Sequence, residues 1–195
     1  MARTPKFDDD ELLDRAMTLL WSNGWARTSI RDLELALDIK APSIYRRFGS
    51  KEALGVAVVD HYVDRIVRRR VTRFLPGEGD PLTNLRAFLE SAVTEGDDGG
   101  QLRGCLLTTA SIEADPDDVL LAETLRRGLL VIEQGLRAEV ERAAATDRLA
   151  AGVDAEAATQ TLVLVMQGLM ALARNGGAPA DLRRRARAAV SVVAA

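Results

Sequence analysis

The stretch TSIRDLELALDIKAPSIYRRFGSKEAL, residues 28–54, decides the fold. It contains two short helical patterns joined by about four residues. Thr28 or Ser29 can cap the first helix, and Asp32 lies three residues after Ser29, as in a capping box. Pro42 suits the first turn of the second helix, because its missing N–H would have no partner there. Two short helices joined in this way are typical of a helix-turn-helix.

The second of these helices is apolar on one side and basic on the other. Ile44 and Phe48 can hold it against neighbouring helices, while Arg46 and Arg47 project outward. A DNA major groove about 12 Å wide admits a short helix that carries projecting donors. The same spacing also fits an ordinary helical hairpin whose arginines are simply solvated.

The rest of the chain also shows helical periodicity, and no segment alternates as a strand would. Helices are predicted near 8–22, 29–38, 42–48, 51–74, 82–94, 102–114, 117–145, 154–174 and 180–194. The segments 74–81 and 95–100 are rich in glycine and predict loops.

Composition limits the class of protein. Apolar residues make up 47% of the 195 residues, which is enough for a buried core without disulfides or a metal. The net charge of -3 hides an asymmetry, because residues 1–75 carry 14 basic and 11 acidic side chains whereas the rest carry 12 and 18. The basic N-terminal part is therefore the better candidate for a nucleic-acid partner, although solvated helix faces produce similar differences.

The sequence also favours a cytoplasmic protein. The single cysteine, Cys105, cannot form an internal disulfide, and the N-terminus lacks the apolar core of a signal peptide. The most apolar stretch, 162–170, is interrupted by Gln167 and Gly168 and is too short for a membrane span. We therefore expect no membrane segment.

Two parts of the opening stretch, Thr28-Ser-Ile-Arg-Asp-Leu33 and Ala41-Pro-Ser-Ile-Tyr-Arg-Arg-Phe-Gly-Ser-Lys-Glu-Ala-Leu54, resemble the DNA-binding signature of the TetR/AcrR family of repressors. The match includes an aromatic residue within the second helix, another that closes it, and the Gly-Ser-Lys-Glu-x-Leu opening of the next helix. It covers about residues 8–60. The resemblance implies an all-α protein in which a three-helix helix-turn-helix domain is linked by a long helix to a helical ligand-binding and dimerisation domain.

The resemblance also implies which parts of the chain bind DNA, bind an effector and dimerise. Residues 1–55 would bind DNA, the fourth helix would continue to about 75 as a connector, and 76–195 would bind an effector and dimerise. The expected protein is a repressor that binds a palindromic operator in double-stranded DNA as a homodimer and is released by a small effector or a thiol-reactive signal. Neither a cofactor nor a metal is implied.

The resemblance places the DNA contacts on the two short helices and at the start of the next. These residues are Thr28, Arg31, Lys40, Pro42, Ser43, Tyr45, Arg46, Arg47 and Lys51. Thr28 would offer its hydroxyl to a phosphate, and Arg31 would reach a phosphate or a base edge. Lys40, Pro42 and Arg47 would flank the recognition surface.

The recognition helix itself would provide two kinds of contact. Ser43 and Arg46 are the candidates for base edges, since an arginine pairs naturally with guanine. Tyr45, through its hydroxyl, and Lys51, as a point charge, would contact the DNA backbone. The first pair would determine sequence preference, whereas the second would act on any duplex.

An effector pocket between the middle helices is implied by the resemblance. Its candidate lining residues are Leu106, Leu107, Leu129, Met166 and Met170. Leucine and methionine at helical spacing equally suit a plain core. The last two helices carry apolar faces that fit either the core of a monomer or half of a four-helix bundle between two subunits. These faces contain Ala158, Leu162, Val165, Met166 and Leu169, followed by Leu182, Ala186, Ala189, Val190 and Val193.

Cys105 has two interpretations. It lies where a helix begins, close to Arg103, and this setting can make a thiol reactive. Its Gly-Cys-Leu-Leu context resembles a subset of TetR-like proteins, some of which sense oxidants, electrophiles or metals through a cysteine. A free cysteine is, however, commonly a buried packing residue. Lone His61 has no evident partner for a metal site.

An enzyme and a protein-binding module are the two alternatives to a regulator. Catalysis by Cys105 would require a base, and His61 belongs to the predicted DNA-binding half. No glycine-rich phosphate loop is present either, so we expect no enzyme. A helical module that binds another protein remains an alternative. Salt-dependent binding to duplex DNA would distinguish the two, because only the regulator releases counterions from phosphates.

Overall fold

The computed structural model describes residues 8–75, 77–93, 102–115 and 117–195. The prediction of an all-α protein is confirmed, since the only strand-like pairing in these ranges is an isolated bridge between Leu149 and Ala194. The first helices are α1 (Asp9–Asn23), α2 (Ile30–Leu37), α3 (Ala41–Phe48) and α4 (Lys51–Tyr62). A π-helical segment (Val63–Val67) joins α4 to α5 (Arg68–Phe74). The remaining helices are α6 (Pro81–Ser91), α7 (Leu106–Glu113), α8 (Val119–Ala145), α9 (Ala155–Arg174) and α10 (Pro179–Val193).

The N-terminal helices pack around a small apolar core. Ser29 and Asp32 form a complete capping box at the start of α2, as their spacing predicts. The hydrogen bonds from Ser29 hold the pKa of the Asp32 carboxyl below its usual value. The fully buried side chains at the centre of this core, contributed by α1, α2, α3 and α4, are Leu12, Ala16, Leu33, Leu37, Ile44, Leu54 and Val58.

The fourth predicted helix is continuous from Lys51 to Phe74 but changes its winding in the middle. The π-helical segment lies where the helix passes α8. A Cβ atom on Gly128 of α8 would approach Val63 to 2.8 Å, so the glycine allows this close contact. A π-helical turn inside an α-helix is rare and often lies at a functional site.

Helix α7 begins at Leu106 rather than at the predicted residue 102. Gly104 adopts a positive φ of 70°, and Cys105 is extended, so the chain turns before the helix starts. Helix α6 ends at Ser91, and the predicted loop 95–100 lies outside the described residues.

Most residues on the apolar faces of the last two predicted helices are buried within a single chain. Val165 and Ala189 are only half-buried. The buried members are Ala158, Leu162, Met166, Leu169, Leu182, Ala186, Val190 and Val193. Helix α9 is long and apolar enough to cross a membrane by length and composition alone. A third of its most apolar window is buried, and the buried side packs against α8 and α10.

Glu139 on α8 is a fully buried carboxylate that fixes the segment leading into α6. It accepts hydrogen bonds from the backbone N–H of Gly77 at 2.8 Å and from the side chain of Asn84 at 3.3 Å. The guanidinium of Arg142 donates to both carboxylate oxygens and also to the carbonyl of Gly79. The burial of this charge is therefore compensated by hydrogen bonds and an ion pair.

Replacing Glu139 by alanine should lower the free energy of unfolding by about 2–3 kcal/mol, because three donors lose their acceptor. Glu141→Ala, an exposed change on the same helix, should cost less than about 0.5 kcal/mol. Urea denaturation followed by circular dichroism measures both values. Equal stability of the two variants would contradict the assigned role of Glu139.

Candidate nucleic-acid interface

The turn between α2 and α3 is held by a left-handed residue and a side-chain hydrogen bond that the sequence does not reveal. Asp38 adopts the left-handed conformation, with φ 53°, which reverses the chain after α2. The carboxylate of Glu34 then accepts a hydrogen bond from the backbone N–H of Ala41 at 2.7 Å. This contact satisfies one of the free N–H groups at the start of α3 and fixes the angle between the two helices.

Helix α3 presents a polar and basic face to solvent. Ile44 is fully buried and Phe48 is half-buried, so the apolar side packs inward as predicted. Tyr45 is 44% exposed, and Arg46 is also exposed. The guanidinium of Arg46 lies 3.4 Å from the hydroxyl of Ser43, which brings the two candidates for base contacts together.

Lys51 is oriented by an aromatic side chain from outside the motif. Its ammonium lies 4.7 Å from the centroid of the Trp25 ring, within the range of a cation–π interaction. A Cβ atom on Gly55 would come within 2.5 Å of that ring, so the absence of a side chain there makes room for the indole. The spacing of the motif gave no indication of this contact, because it joins Trp25, in the loop between α1 and α2, to Lys51 at the start of α4.

Two predicted DNA contacts are placed differently from the rest. Thr28 is 1% exposed and its hydroxyl donates to the carbonyl of Gly24 at 2.7 Å, so this hydroxyl is not offered to solvent. Arg47 forms an ion pair with Asp9 of α1, which turns its guanidinium towards the N-terminal helix. Arg31 of α2, Lys40 just before α3, and Pro42 in the first turn of α3 are exposed.

Trp21 at the end of α1 connects the helix-turn-helix to the C-terminal helices. Its indole N–H donates to the carbonyl of Gly104 at 3.1 Å, and its own carbonyl accepts from Arg174 at 2.8 Å. A second connection lies nearby, where the backbone N–H of Ala26 donates to Glu113 at 3.2 Å. The orientation of α1 is therefore tied to the start and end of α7 and to the end of α9.

Cys105 is buried beside this junction. The hydroxyl of Tyr62 donates to its sulfur at 3.6 Å, and the Tyr62 ring packs edge-on against Trp21 with a centroid distance of 5.1 Å. Burial raises the pKa of the Tyr62 hydroxyl well above its usual value. Arg103 lies over the Trp21 ring, 5.8 Å from its centroid, although its position in the sequence pointed to the thiol.

A small cavity adjoins Cys105 and has a volume of about 10 Å³, room for roughly one water molecule. Its other lining residues are Tyr62, Val67, Arg70, Phe88, Ile132 and Met166. Met166 is thus the one predicted effector-lining residue that borders this cavity. Leu106, Leu107 and Met170 are buried elsewhere in the core, and Leu129 is half-buried.

His61 has a clear role in packing. Its Nε2 lies 2.7 Å from the carboxylate of Asp14, which joins α4 to α1. In the described ranges, no group of three or more histidine, cysteine, aspartate or glutamate side chains is arranged to hold a metal ion.

Comparisons with known sequences agree with this arrangement. The family model for the tetracyclin repressor-like C-terminal domain matches residues 81–189, and the model for bacterial regulatory proteins of the tetR family matches residues 12–58. The HTH-type transcriptional repressor ComR of Escherichia coli K12 is 29% identical over 177 residues, which cover 89% of this chain and 83% of ComR. DhaR of a Mycobacterium species, an HTH-type transcriptional repressor, is 28% identical over 65% of this chain and 61% of its own length.

Solved structures show the same architecture. A cysteine mutant of the TetR family regulator CifR, in complex with a 26-base-pair operator DNA, superposes with a TM-score of 0.85 at 28% identity and covers 97% of this chain and 98% of its own. Reduced NemR of Escherichia coli gives a TM-score of 0.81 at 22% identity, with 97% and 98% of the two chains covered. The NemR comparison bears on the fold alone.

Proposed function

This chain belongs to the TetR family of bacterial regulatory proteins, and we propose that it is a transcriptional repressor that binds a palindromic operator as a homodimer. In this proposal residues 1–55 bind DNA, and 76–195 dimerise and receive a signal from a small effector or a thiol-reactive compound. The protein acts in the cytoplasm and catalyses no reaction. ComR and DhaR, which are named as repressors, and the operator complex of CifR support the proposal.

The exposed basic face of α3 is the observation that carries this proposal. Ile44 locks the helix into the core, while Tyr45 and Arg46 point to solvent. A major groove accepts such a helix, and its base edges offer acceptors to an arginine. Lys51, held by Trp25 at the start of α4, would contact a phosphate of the bound duplex.

Selection of bound sequences from a random duplex library tests the function as a whole. The winning duplex should be palindromic, since two-fold protein symmetry imposes two-fold symmetry on the operator. Its affinity should fall steeply between two salt concentrations, because bound phosphates release counterions. Failure to enrich any sequence, together with salt-insensitive binding, would favour a module that binds another protein.

Variants of α3 and α4 should separate base contacts from backbone contacts. Arg46→Ala should reduce discrimination at particular base pairs by about 1–3 kcal/mol each, since it removes a bidentate donor. Lys51→Ala should weaken binding to the selected and a scrambled duplex alike and reduce the salt slope by about 1. Fluorescence anisotropy measures both.

Arg126→Ala, an exposed arginine on α8, is the matched control and should change neither property. Unchanged sequence preference in Arg46→Ala would contradict its assignment to a base edge.

An exposed apolar stripe on α9 and α10 supports the homodimer. Leu164 and Leu172 are 70% and 42% exposed, and Gly168 lies between them on the same face with open space around it. Val192 on α10 is 70% exposed. These residues lie on a different face of each helix from the buried core residues. We infer that a second copy of the chain covers this stripe and completes a four-helix bundle.

Leu164→Glu should shift the protein towards monomer, because it places a charge in the apolar interface. The fold of the single chain should survive, since Leu164 makes little contact within it. Sedimentation equilibrium gives the mass, and circular dichroism checks the helix content. Leu35→Glu, at another exposed leucine on α2, should leave the dimer intact. A fully dimeric Leu164→Glu protein would place the interface elsewhere.

The junction around Trp21 supports a route from a signal to DNA release. Cys105 follows Gly104, whose carbonyl accepts the Trp21 indole N–H. An added group on the Cys105 sulfur would displace Tyr62, which packs against Trp21. A covalent modification here would therefore shift α1 relative to α7 and change the separation of the two recognition helices. The signal releases DNA only to the extent that it favours the shifted arrangement.

N-ethylmaleimide tests this route, because its alkene adds to a thiol, forming an S–C bond while the thiol proton moves to the adjacent carbon. Treatment should weaken operator binding by about tenfold or more in the native protein and have no effect on Cys105→Ser. Mass spectrometry confirms the adduct, and anisotropy gives the affinity. Undiminished binding by fully modified native protein would limit Cys105 to packing.

A further inference from the structure

The connector carries a concentration of positive charge that DNA recognition does not use. Residues 63–75 contain five arginines and one acidic residue, Asp64. Arg65 pairs with Asp14 of α1, and Arg68 pairs with Asp64. In the described part of the chain, neither Arg69 nor Arg73 forms an ion pair with a carboxylate. Their charge is therefore available to an external anion.

These arginines line a groove rather than a flat surface. Its volume is about 140 Å³, and it is bordered by Arg65, Ile66, Arg69, Arg70, Arg73 and Phe74. The half-buried Ile66 and Phe74 supply apolar surface. The guanidinium of Arg73 lies 5.3 Å from the centroid of the Phe74 ring, so a charged group and an aromatic face adjoin each other. A ligand that fits both surfaces has an anionic end and an apolar end.

Arg69 and Arg73 of the groove are remote from Lys51, the proposed phosphate contact. Arg69 follows Lys51 by 18 residues, which corresponds to about 27 Å along a helix. A DNA phosphate held by Lys51 would therefore lie far from Arg69 and Arg73. The small volume of the groove also favours a small molecule over a polymer.

Arg70 gives the groove a connection to the interior. It borders both the groove and the small cavity that adjoins Tyr62 and Cys105. An anion that draws its guanidinium outward would alter the polar surroundings of that cavity. Ligand binding in the groove would thus change the packing at the junction between α1 and α7.

We propose that this groove binds a small organic anion, a carboxylate or phosphate monoester with a short aromatic or aliphatic group. Guanidinium groups donate paired hydrogen bonds to such anions. The apolar group would lie against Ile66 and Phe74. This proposal stands whether or not the chain represses transcription.

Phenyl phosphate is the probe, and isothermal titration calorimetry on the full chain gives its dissociation constant. Arg69→Gln combined with Arg73→Gln should raise that constant by about tenfold or more. Inorganic phosphate lacks the apolar end and benzyl alcohol lacks the charge, so each should bind about tenfold more weakly than phenyl phosphate. Circular dichroism confirms that the variant is folded, as expected for two exposed positions.

The matched control is Arg126→Gln combined with Arg184→Gln, which removes two exposed positive charges from α8 and α10. It should change the dissociation constant by less than about twofold. Equal weakening by this control would indicate general charge attraction and overturn the site. Equal binding of benzyl alcohol, or loss of duplex DNA binding with unchanged phenyl phosphate binding in Arg69→Gln/Arg73→Gln, would overturn it as well.

Discussion

The hydrogen bond from the Trp21 indole to the carbonyl of Gly104 joins the two halves of the molecule. Gly104 can present that carbonyl because its positive φ turns the chain just before α7. The guanidinium of Arg174 donates a hydrogen bond to the Trp21 carbonyl, and Tyr62 packs against the Trp21 ring. The position of α1, and through it of α2 and α3, therefore depends on helices more than 80 residues away in sequence.

The connector passes directly beside this junction. It passes from α4 to α5 through a π-helical segment that starts directly after Tyr62. At that point Gly128 allows α8 to approach closely, and the Tyr62 hydroxyl reaches Cys105. The buried thiol, the aromatic pair and the change of helical winding thus lie together, so a change at one of them is transmitted to its neighbours by packing.

Sequence patterns predicted most of the helices because their signals are local. The capping box of Ser29 and Asp32 and the proline at position 42 lie within one turn of the helix starts that they indicate. The same patterns could not reveal that Trp25 supports Lys51 or that Glu34 caps α3. Those contacts depend on how separate elements pack, and no fixed spacing encodes them.

The sequence by itself determined the all-α class and the inward side of α3, since these follow from short-range periodicity and capping, whereas the helix-turn-helix at 28–54 was indicated by the resemblance of its motif. Only the tertiary structure decided that the Thr28 hydroxyl bonds to Gly24, that Arg47 turns to Asp9, and which face of α9 stays open. A side chain's burial and partner depend on chain segments that folding brings together. Helical periodicity identifies an apolar face, but packing decides whether the protein's own core covers it.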